Sequence, residues 1–439
     1  MRTELGSGFN DFLESLQKKS PVSIRLNPAK PSTPQGEIIS WTKHGRYLTE
    51  RPVFTLDPAL HAGAYYVQEA SSMLLEQALI QSTDLSKALR VLDLCAAPGG
   101  KSTHLLSLIN SNSLLVSNEV IRSRSAILSE NIQKWGHANV VVSCNDPEDF
   151  QRLEGFFDVM VIDAPCSGEG LFRKDPGAMA EWSTDNVQLC SQRQRRILSD
   201  VLPALKEGGI LIYSTCTFNE QENENNLTWL AQEDAFTFLP LSLPPSCGVE
   251  TIQKGNAVGY RCYPHLVKGE GFFISVMQKK TSTKQARIKS KSRFSFASKK
   301  ISEQLQEWIH PTDQFDFILQ DNLLITLPIA LKEEIEFLQG QLHIVTKGTA
   351  MAEVKHDKFI PEHAFALSIH LREEHFQQVD LSLDQALQFL RKEAFMLDDN
   401  RKGFALVKYQ ENSLGWVNLL GNRLNNLYPT AWRIRMGNS

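Results

Sequence analysis

The chain reads as an α/β protein built on a parallel sheet, flanked by an N-terminal α+β module and a C-terminal α+β region. Three observations predict this. Strand and helix signals alternate from about residue 86 to 280, the pattern of a parallel sheet with crossover helices. Apolar runs stop at chemistry-bearing residues: Val159 to Ile162 before Asp163-Ala164-Pro165-Cys166, and Ile210 to Tyr213 before Ser214-Thr215-Cys216. A run from Lys279 to Lys300 with nine Lys or Arg and no acidic residue then separates this unit from the rest.

Residues 1–85 form the first module. A helix is expected from Asp11 to Lys19. Val22 to Leu26 alternates like a strand and stops before Pro28, and Pro31 to Gly36 reads as a loop. Gln68 to Leu79 places Ala70, Met73, Leu74 and Ala78 at helical spacing, to pack on the next domain. In 86–280 the expected order is strand Arg90–Leu94, helix Lys101–Ile109, strand Leu114–Asn118 and helix Ile121–Trp135, closed by Gly136. Strand Val140–Ser143, strand Asp158–Ile162, a glycine-bearing loop and a helix near Asp185–Leu202 follow. Gly208-Gly209 leads into the fifth strand. Gly271–Met277 reads as a late strand, antiparallel beside Tyr260–Tyr263. The segment 281–300 reads as a basic linker, a solvated one in preference to a specific RNA contact. Residues 301–439 are expected as a separate module, a small α+β or β-barrel domain. Its helices are Ile301–Ile309 and Ser382–Glu393, and its strands Phe404–Tyr409 and Leu414–Val417.

With 439 residues, 42% hydrophobic and 22% charged, the chain can bury two or three real cores. No apolar run approaches the roughly 20 residues of a membrane helix. Met1 to Phe9 lacks a basic-then-apolar signal, which argues against secretion. The seven cysteines are scattered, with neither a CxxC motif nor a His/Cys cluster, so metal binding is disfavoured and a reducing cytoplasm fits. The net charge of −4 does not advertise a nucleic-acid binder.

The candidate chemistry lies past the strand ends, where an open α/β sheet forms its ligand crevice. Cys95-Ala96-Ala97-Pro98-Gly99-Gly100-Lys101 is a glycine turn between a strand and a helix. Its glycines allow close backbone approach, and the helix N-terminus offers free N–H groups. Glu119 follows the second strand about 19 residues on, where an acid takes ribose hydroxyls. Asp146 follows the third strand and could hold an adenine amino group. With no Walker-type loop, this order favours an adenosyl cofactor such as S-adenosylmethionine over ATP. Cys166 and Cys216 end adjacent strands, beside Asp163. A thiolate adding to C6 of a pyrimidine makes C5 nucleophilic toward an electrophilic methyl, an acid at ring N3 stabilises the adduct, and a second thiol assists its breakdown. The residues alone do not order the two thiols. In the loop after Asp163, Arg173 and Lys174 are cations for RNA phosphate. Glu220, Glu222 and Glu224 read as the polar start of a helix.

At these residues the chain resembles the Sun-type RNA cytosine-5 methyltransferases. The matching segments are Asp93 to Lys101, Asp163 to Gly168, Arg173-Lys174, Tyr213 to Thr217, Asn219-Glu220 and Glu222 to Glu224. Ser23 to Asn27 and Gln68 to Ser72 resemble its N-terminal signatures. The match spans roughly residues 20–280. Lys402-Gly403-Phe404, Leu414-Gly415-Trp416 and Asn425 to Pro429 resemble a C-terminal PUA-like RNA-binding region that part of the family carries. Gly100 stands where the family often has serine, and Glu69 where aspartate is frequent.

The resemblance implies a Rossmann-like, S-adenosylmethionine-dependent methyltransferase core. It implies cofactor binding by Cys95 to Lys101, Glu119, Asp146 and Asp163, and by Arg124. It implies Cys216 as nucleophile, Cys166 in product release, and Arg25, Arg173 and Lys174 as RNA contacts. The implied partner is ribosomal RNA or the small ribosomal subunit, without membrane or metal, and a monomer is expected. Transfer RNA is the alternative substrate, and a non-catalytic RNA-binding assembly protein the alternative of another class. A DNA cytosine methyltransferase is disfavoured, since the chain lacks a separate Glu-Asn-Val motif.

Overall fold

The computed structural model describes residues 5–437 apart from 33–35, 233, 285–287, 289–293, 357 and 398. Arg287, Lys289, Lys291 and Arg293 of the expected basic linker therefore lie outside the described residues. The chain opens with a helix, Phe9–Gln17, and a four-stranded sheet. Its strands β1 (Val22–Leu26), β2 (Glu37–Ile38), β3 (Gly45–Leu48) and β4 (Tyr65–Val67) lie in the order β2-β3-β1-β4. A single turn, Ser71–Leu74, and the helix Leu75–Ser82 then carry Met73, Leu74, Leu75, Ala78 and Leu79 fully into the core of the next unit.

The central sheet is built on β5 (Arg90–Asp93), β6 (Leu114–Asn118), β7 (Val140–Ser143), β8 (Phe157–Asp163) and β9 (Leu205–Thr215). These five run parallel in the order β9-β8-β5-β6-β7. Short β10 (Phe236–Phe238) pairs with β13 (Phe272–Lys279). The pair β11 (Glu250–Lys254) and β12 (Ala257–Cys262) joins β13, which runs antiparallel to β9. Both faces are covered, so the strands read as near-continuous apolar runs. Val91, Val159, Val161, Ile210 and Ile212 face the helices Leu75–Ser82, Gly100–Leu108 and Arg122–Trp135. Leu92, Met160, Ile162 and Leu211 face the helix Thr184–Val201. The alternation is the two-residue period of a strand, and residues adjacent in sequence serve opposite cores.

The C-terminal part corrects one expectation. Residues 301–439 are not one separate module. Strands β14 (Phe315–Gln320) and β15 (Leu323–Pro328) begin a small sheet, but β16 (Ile344–Lys347) leaves it to pair antiparallel with β7 at the edge of the central sheet. Strands β17 (Thr349–Lys355) and β18 (Lys358–Pro361) complete the small sheet. The helix Lys332–Gln339 buries Ile335 and Leu338 in the core under β8. Last comes a sheet of β19 (Gln377–Asp380), β20 (Lys402–Tyr409), β21 (Asn412–Leu420) and β22 (Leu424–Asn426), against the helix Leu383–Arg391. That helix starts with a full capping box between Ser382 and Gln385, which satisfies two otherwise orphaned backbone donors. Among the described residues no helix is long and apolar enough to cross a membrane.

Candidate active site

Strand order reverses between β5 and β8, and the chemistry collects at the C-terminal ends of these strands and of β9. Past β5, Gly99 takes φ +115, a left-handed conformation that a side chain would strain, and caps the helix Gly100–Leu108. The helix Arg122–Trp135 holds the turn from outside: Arg124 donates to Ala97 O at 2.8 Å and Asn131 to Pro98 O at 2.8 Å. Asp93, beneath the turn, is fully buried. One of its oxygens accepts from Ser102 at 2.6 Å and the other, Oδ1, has no hydrogen-bond partner. Burial pushes its carboxyl up to about 7, with Ser102 and Lys101 opposing. Burial likewise pushes the Cys95 thiol up, so this cysteine stays protonated.

Glu119, just past β6, is buried. It accepts from Ile121 N at 3.0 Å and pairs with Arg124 at 3.1 Å, so Arg124 ties the acid to the glycine turn. Asp146, three residues past β7, is half exposed and pairs with Arg196 at 3.3 Å while capping Glu148 N. Exposed Val120 and Ile121 stand beside Glu119.

Strands β8 and β9 pair with Asp163 opposite Ser214, and this register brings the two cysteine loops off the sheet at one level. Cys166 Sγ lies 3.0 Å from Cys216 Sγ. The next residues repeat the contact, with Ser167 Oγ 3.1 Å from Thr217 Oγ1. Asp163 accepts from Ser214 Oγ at 2.8 Å and pairs with Lys101 Nζ at 2.7 Å. Burial works against the Lys101 charge, but Asp163 outweighs it and holds the ammonium above its ordinary range. Cys166 is pushed well up, first by its hydrogen bond to Cys216 and then by burial.

The walls of this site are braced by groups for which the sequence suggested no part in the site. Gly170 N donates to Cys216 O at 2.9 Å, and buried Glu169 accepts from Phe218 N at 3.1 Å. Thr215 Oγ1 donates to Asn223 Oδ1 at 2.6 Å, while Asn223 returns a bond to Thr217 O at 3.0 Å. Glu222 and Glu224 are buried rather than solvated. Glu224 pairs with Arg261, and Glu222 accepts from Ser167 N. The one sequence signal was the alternation of acids and asparagines after Thr217, too polar for a run that ends up inside.

Two expected RNA contacts are corrected. Arg25 has no exposed surface. Its guanidinium bonds Gln68, Ser107, Gly100 O and Thr103 and lies 4.4 Å from the Trp135 ring centre, which fastens β1 to the glycine-turn helix. The Arg173 side chain is 4% exposed and paired with Glu270 at 3.0 Å, so it holds the Cys166 loop to the start of β13. A guanidinium buried and spent on protein partners in this way is not presented to phosphate. Lys174 remains exposed.

Three family models match: "16S rRNA methyltransferase RsmB/F" over residues 81–278, "N-terminal domain of 16S rRNA methyltransferase RsmF" over 1–70, and "Methyltransferase RsmF PUA domain" over 376–434. Ribosomal RNA small subunit methyltransferase F of Aliivibrio salmonicida is 30% identical, covering 98% of this chain and 94% of that protein. The Shewanella piezotolerans protein of the same name is 31% identical, covering 95% and 92%. Among solved structures, a methyltransferase homolog protein from Pyrococcus horikoshii is similar at TM-score 0.53 and 28% identity, over 62% of this chain and 91% of that one. NSun6 from Pyrococcus horikoshii, solved with SFG, shares the fold at TM-score 0.54 and 19% identity, over 64% and 97%. Fold, glycine turn and matches together define a methyltransferase. More narrowly, the chain belongs to the family of ribosomal RNA small subunit methyltransferase F.

Proposed function

We propose that this protein methylates C5 of a cytidine in 16S ribosomal RNA, with S-adenosylmethionine as donor, through a covalent bond between Cys216 and ring C6. The observation that carries the reading is the cysteine pair: two free thiols 3.0 Å apart at adjacent strand ends, next to a clamped carboxylate. The names of the family and of its relatives support ribosomal RNA as the substrate.

The residues present fit the donor. A helix N-terminus under a glycine turn suits its carboxylate, and the partnerless Asp93 oxygen below suits its ammonium. Glu119 suits ribose hydroxyls, Val120 and Ile121 offer apolar surface for a base, and Asp146 lies beyond them. S-adenosylmethionine supplies an electrophilic methyl when bound. The protein's own residues do the rest. Cys216 Sγ adds to C6 and pushes an electron pair toward C5, while Asp163 serves ring N3. After C5 takes the methyl, solvent water takes the C5 proton, the electrons of the C5–H bond restore the C5–C6 double bond, and the C6–S bond breaks with its pair leaving on the Cys216 sulfur. Cys166, held as a thiol 3.0 Å away, hands a proton to the departing sulfur. On this reading residues 1–85 and the parts of 301–439 outside the central sheet carry RNA to a catalytic unit of 86–280, which follows on through a linker at 281–300 and is completed at its edge by residues 344–347, and the protein works in the cytoplasm.

The test compares methyl transfer to naked 16S RNA, assembled small subunits and transfer RNA. Label confined to transfer RNA would sink the ribosomal substrate. Cys166→Ala should accumulate a covalent RNA adduct, seen as a slow gel band, and Cys216→Ala should form none and transfer no methyl. The reverse pattern would exchange the two roles.

A further inference from the structure

Glu222 takes no part in the mechanism above, yet its side chain is built into the back of the cysteine site. It has no exposed surface. Its Oε2 accepts from Ser167 N at 3.0 Å and from Gln194 Nε2 at 2.8 Å. The same Gln194 nitrogen donates to Pro165 O at 3.0 Å, and Gln194 Oε1 in turn accepts from Asn226 at 2.8 Å. The main chain is thus pinned immediately before and immediately after Cys166. The other carboxylate oxygen, Oε1, is buried with no hydrogen-bond partner. A bare buried acceptor is destabilising where it serves only as a brace, and a glutamine would brace as well without the charge.

We propose that Glu222 is a positioning residue for the cysteine pair, one that fixes the Cys166 loop against Cys216 and sets which of the two sulfurs carries the proton. The proposal rests on the reading of Cys216 as nucleophile and Cys166 as acid. A buried negative charge facing a thiol opposes its ionisation, and Glu222 acts on Cys166 in that direction, after the effects of Cys216 and burial. The other groups around the pair are Tyr213, whose phenol is held up by burial, Cys190, held up by burial and then by Glu222 with Arg193 opposing, and Glu169, whose charge pushes Glu222 up. On the sheet side stand Asp163 and Lys101. Burial pushes Glu222 itself up, and the Ser167 and Gln194 donors oppose that push.

Glu222→Gln separates charge from brace. Its amide oxygen keeps both bonds and its nitrogen takes the place of the partnerless oxygen. The experiment maps iodoacetamide labelling of Cys166 by peptide mass spectrometry across pH, alongside kcat and KM for RNA methylation. In Glu222→Gln the labelling midpoint of Cys166 should fall by about one pH unit. Turnover should drop on the order of 10-fold with KM unchanged, and added to Cys166→Ala the change should slow nothing further. A folded Glu222→Gln with an unmoved midpoint, while Cys216→Ala is inactive, overturns the proposal and leaves the mechanism standing. An active Cys216→Ala overturns the mechanism instead. Should Glu222→Gln fail to fold, Glu222→Asp keeps the charge on a shorter arm. It is expected to leave the midpoint in place and slow turnover. A falling midpoint, or wild-type turnover, in that variant overturns the proposal.

Discussion

Replacing Arg25 by methionine tests whether this arginine is part of the frame or part of an RNA surface. Methionine keeps the apolar stem on Trp135 and removes the guanidinium. Four hydrogen bonds vanish, each worth a net of about 0.5–1.5 kcal/mol. Three of the partners keep a contact: Ser107 Oγ donates to Thr103 O, and the one hydroxyl proton of Thr103 is shared between Gly99 O and Gly100 O. Only the Gln68 Oε1 acceptor is stranded, at about 1–3 kcal/mol. Against these losses stands the relief of a buried charge, since burial already lowers the Arg25 guanidinium to about 9 and an apolar replacement regains part of that cost. The net expectation is a loss of about 2–4 kcal/mol, or a Tm lower by roughly 5–10 °C for a unit of this size. Thermal melts by circular dichroism measure it, and filter binding measures RNA affinity below the transition. An unchanged Tm together with weakened RNA binding would refute the reasoning.

Gly170→Ala should abolish turnover while the protein stays folded, because a Cβ there would sit 2.7 Å from Cys216 O and 2.4 Å from Gly271 O; single-turnover methyl transfer should fall about 100-fold, and near-normal rates would show that the two loops yield. Asp93 gives a pH signature. Its carboxyl titrates near 7 when folded and about 3.9 when unfolded, so the folded chain holds the extra proton between those values and stability declines as pH climbs through that window. Asp93→Asn should flatten the decline, by an amount on the order of a few kcal/mol between pH 5 and pH 8 in urea titrations, and identical slopes for both proteins would contradict it. Truncation after residue 300 should yield a self-associating fragment, since it strips β16 from β7 and leaves a bare edge strand. A monodisperse, active fragment on size-exclusion chromatography would argue otherwise.

The central strands were legible because each is an apolar run closed by a polar residue. Leu114–Asn118 and Val140–Ser143 fall where the sequence puts them, and Tyr260 does face Ile274 antiparallel. The motif cysteines and the glycine turn were legible for the same reason, as they mark where such runs stop. Strand β16 was not. Its partner lies about 200 residues upstream, and Ile344 to Lys347 has no clean alternation; Gly348 marks where the strand stops but not what it pairs with. The buried charges were hidden by a sound prior. Arg and Glu belong outside unless paired, and nothing local to Arg25, Arg173 or Glu222 names its partner. Gln68 is 43 residues from Arg25, and Glu270 is 97 from Arg173.

The strand borrowed from residues 344–347 orders events in time as well as in space. Synthesis is vectorial, and about 200 residues beyond Val140–Ser143 must be polymerised before that strand exists. Until then the nascent chain carries a finished glycine turn and both thiols on a scaffold whose outer border is still raw. The arrival of residues 344–347 therefore closes the catalytic half as well as extending the chain, and chaperone capture of the unfinished protein should concentrate on the Val140–Ser143 border.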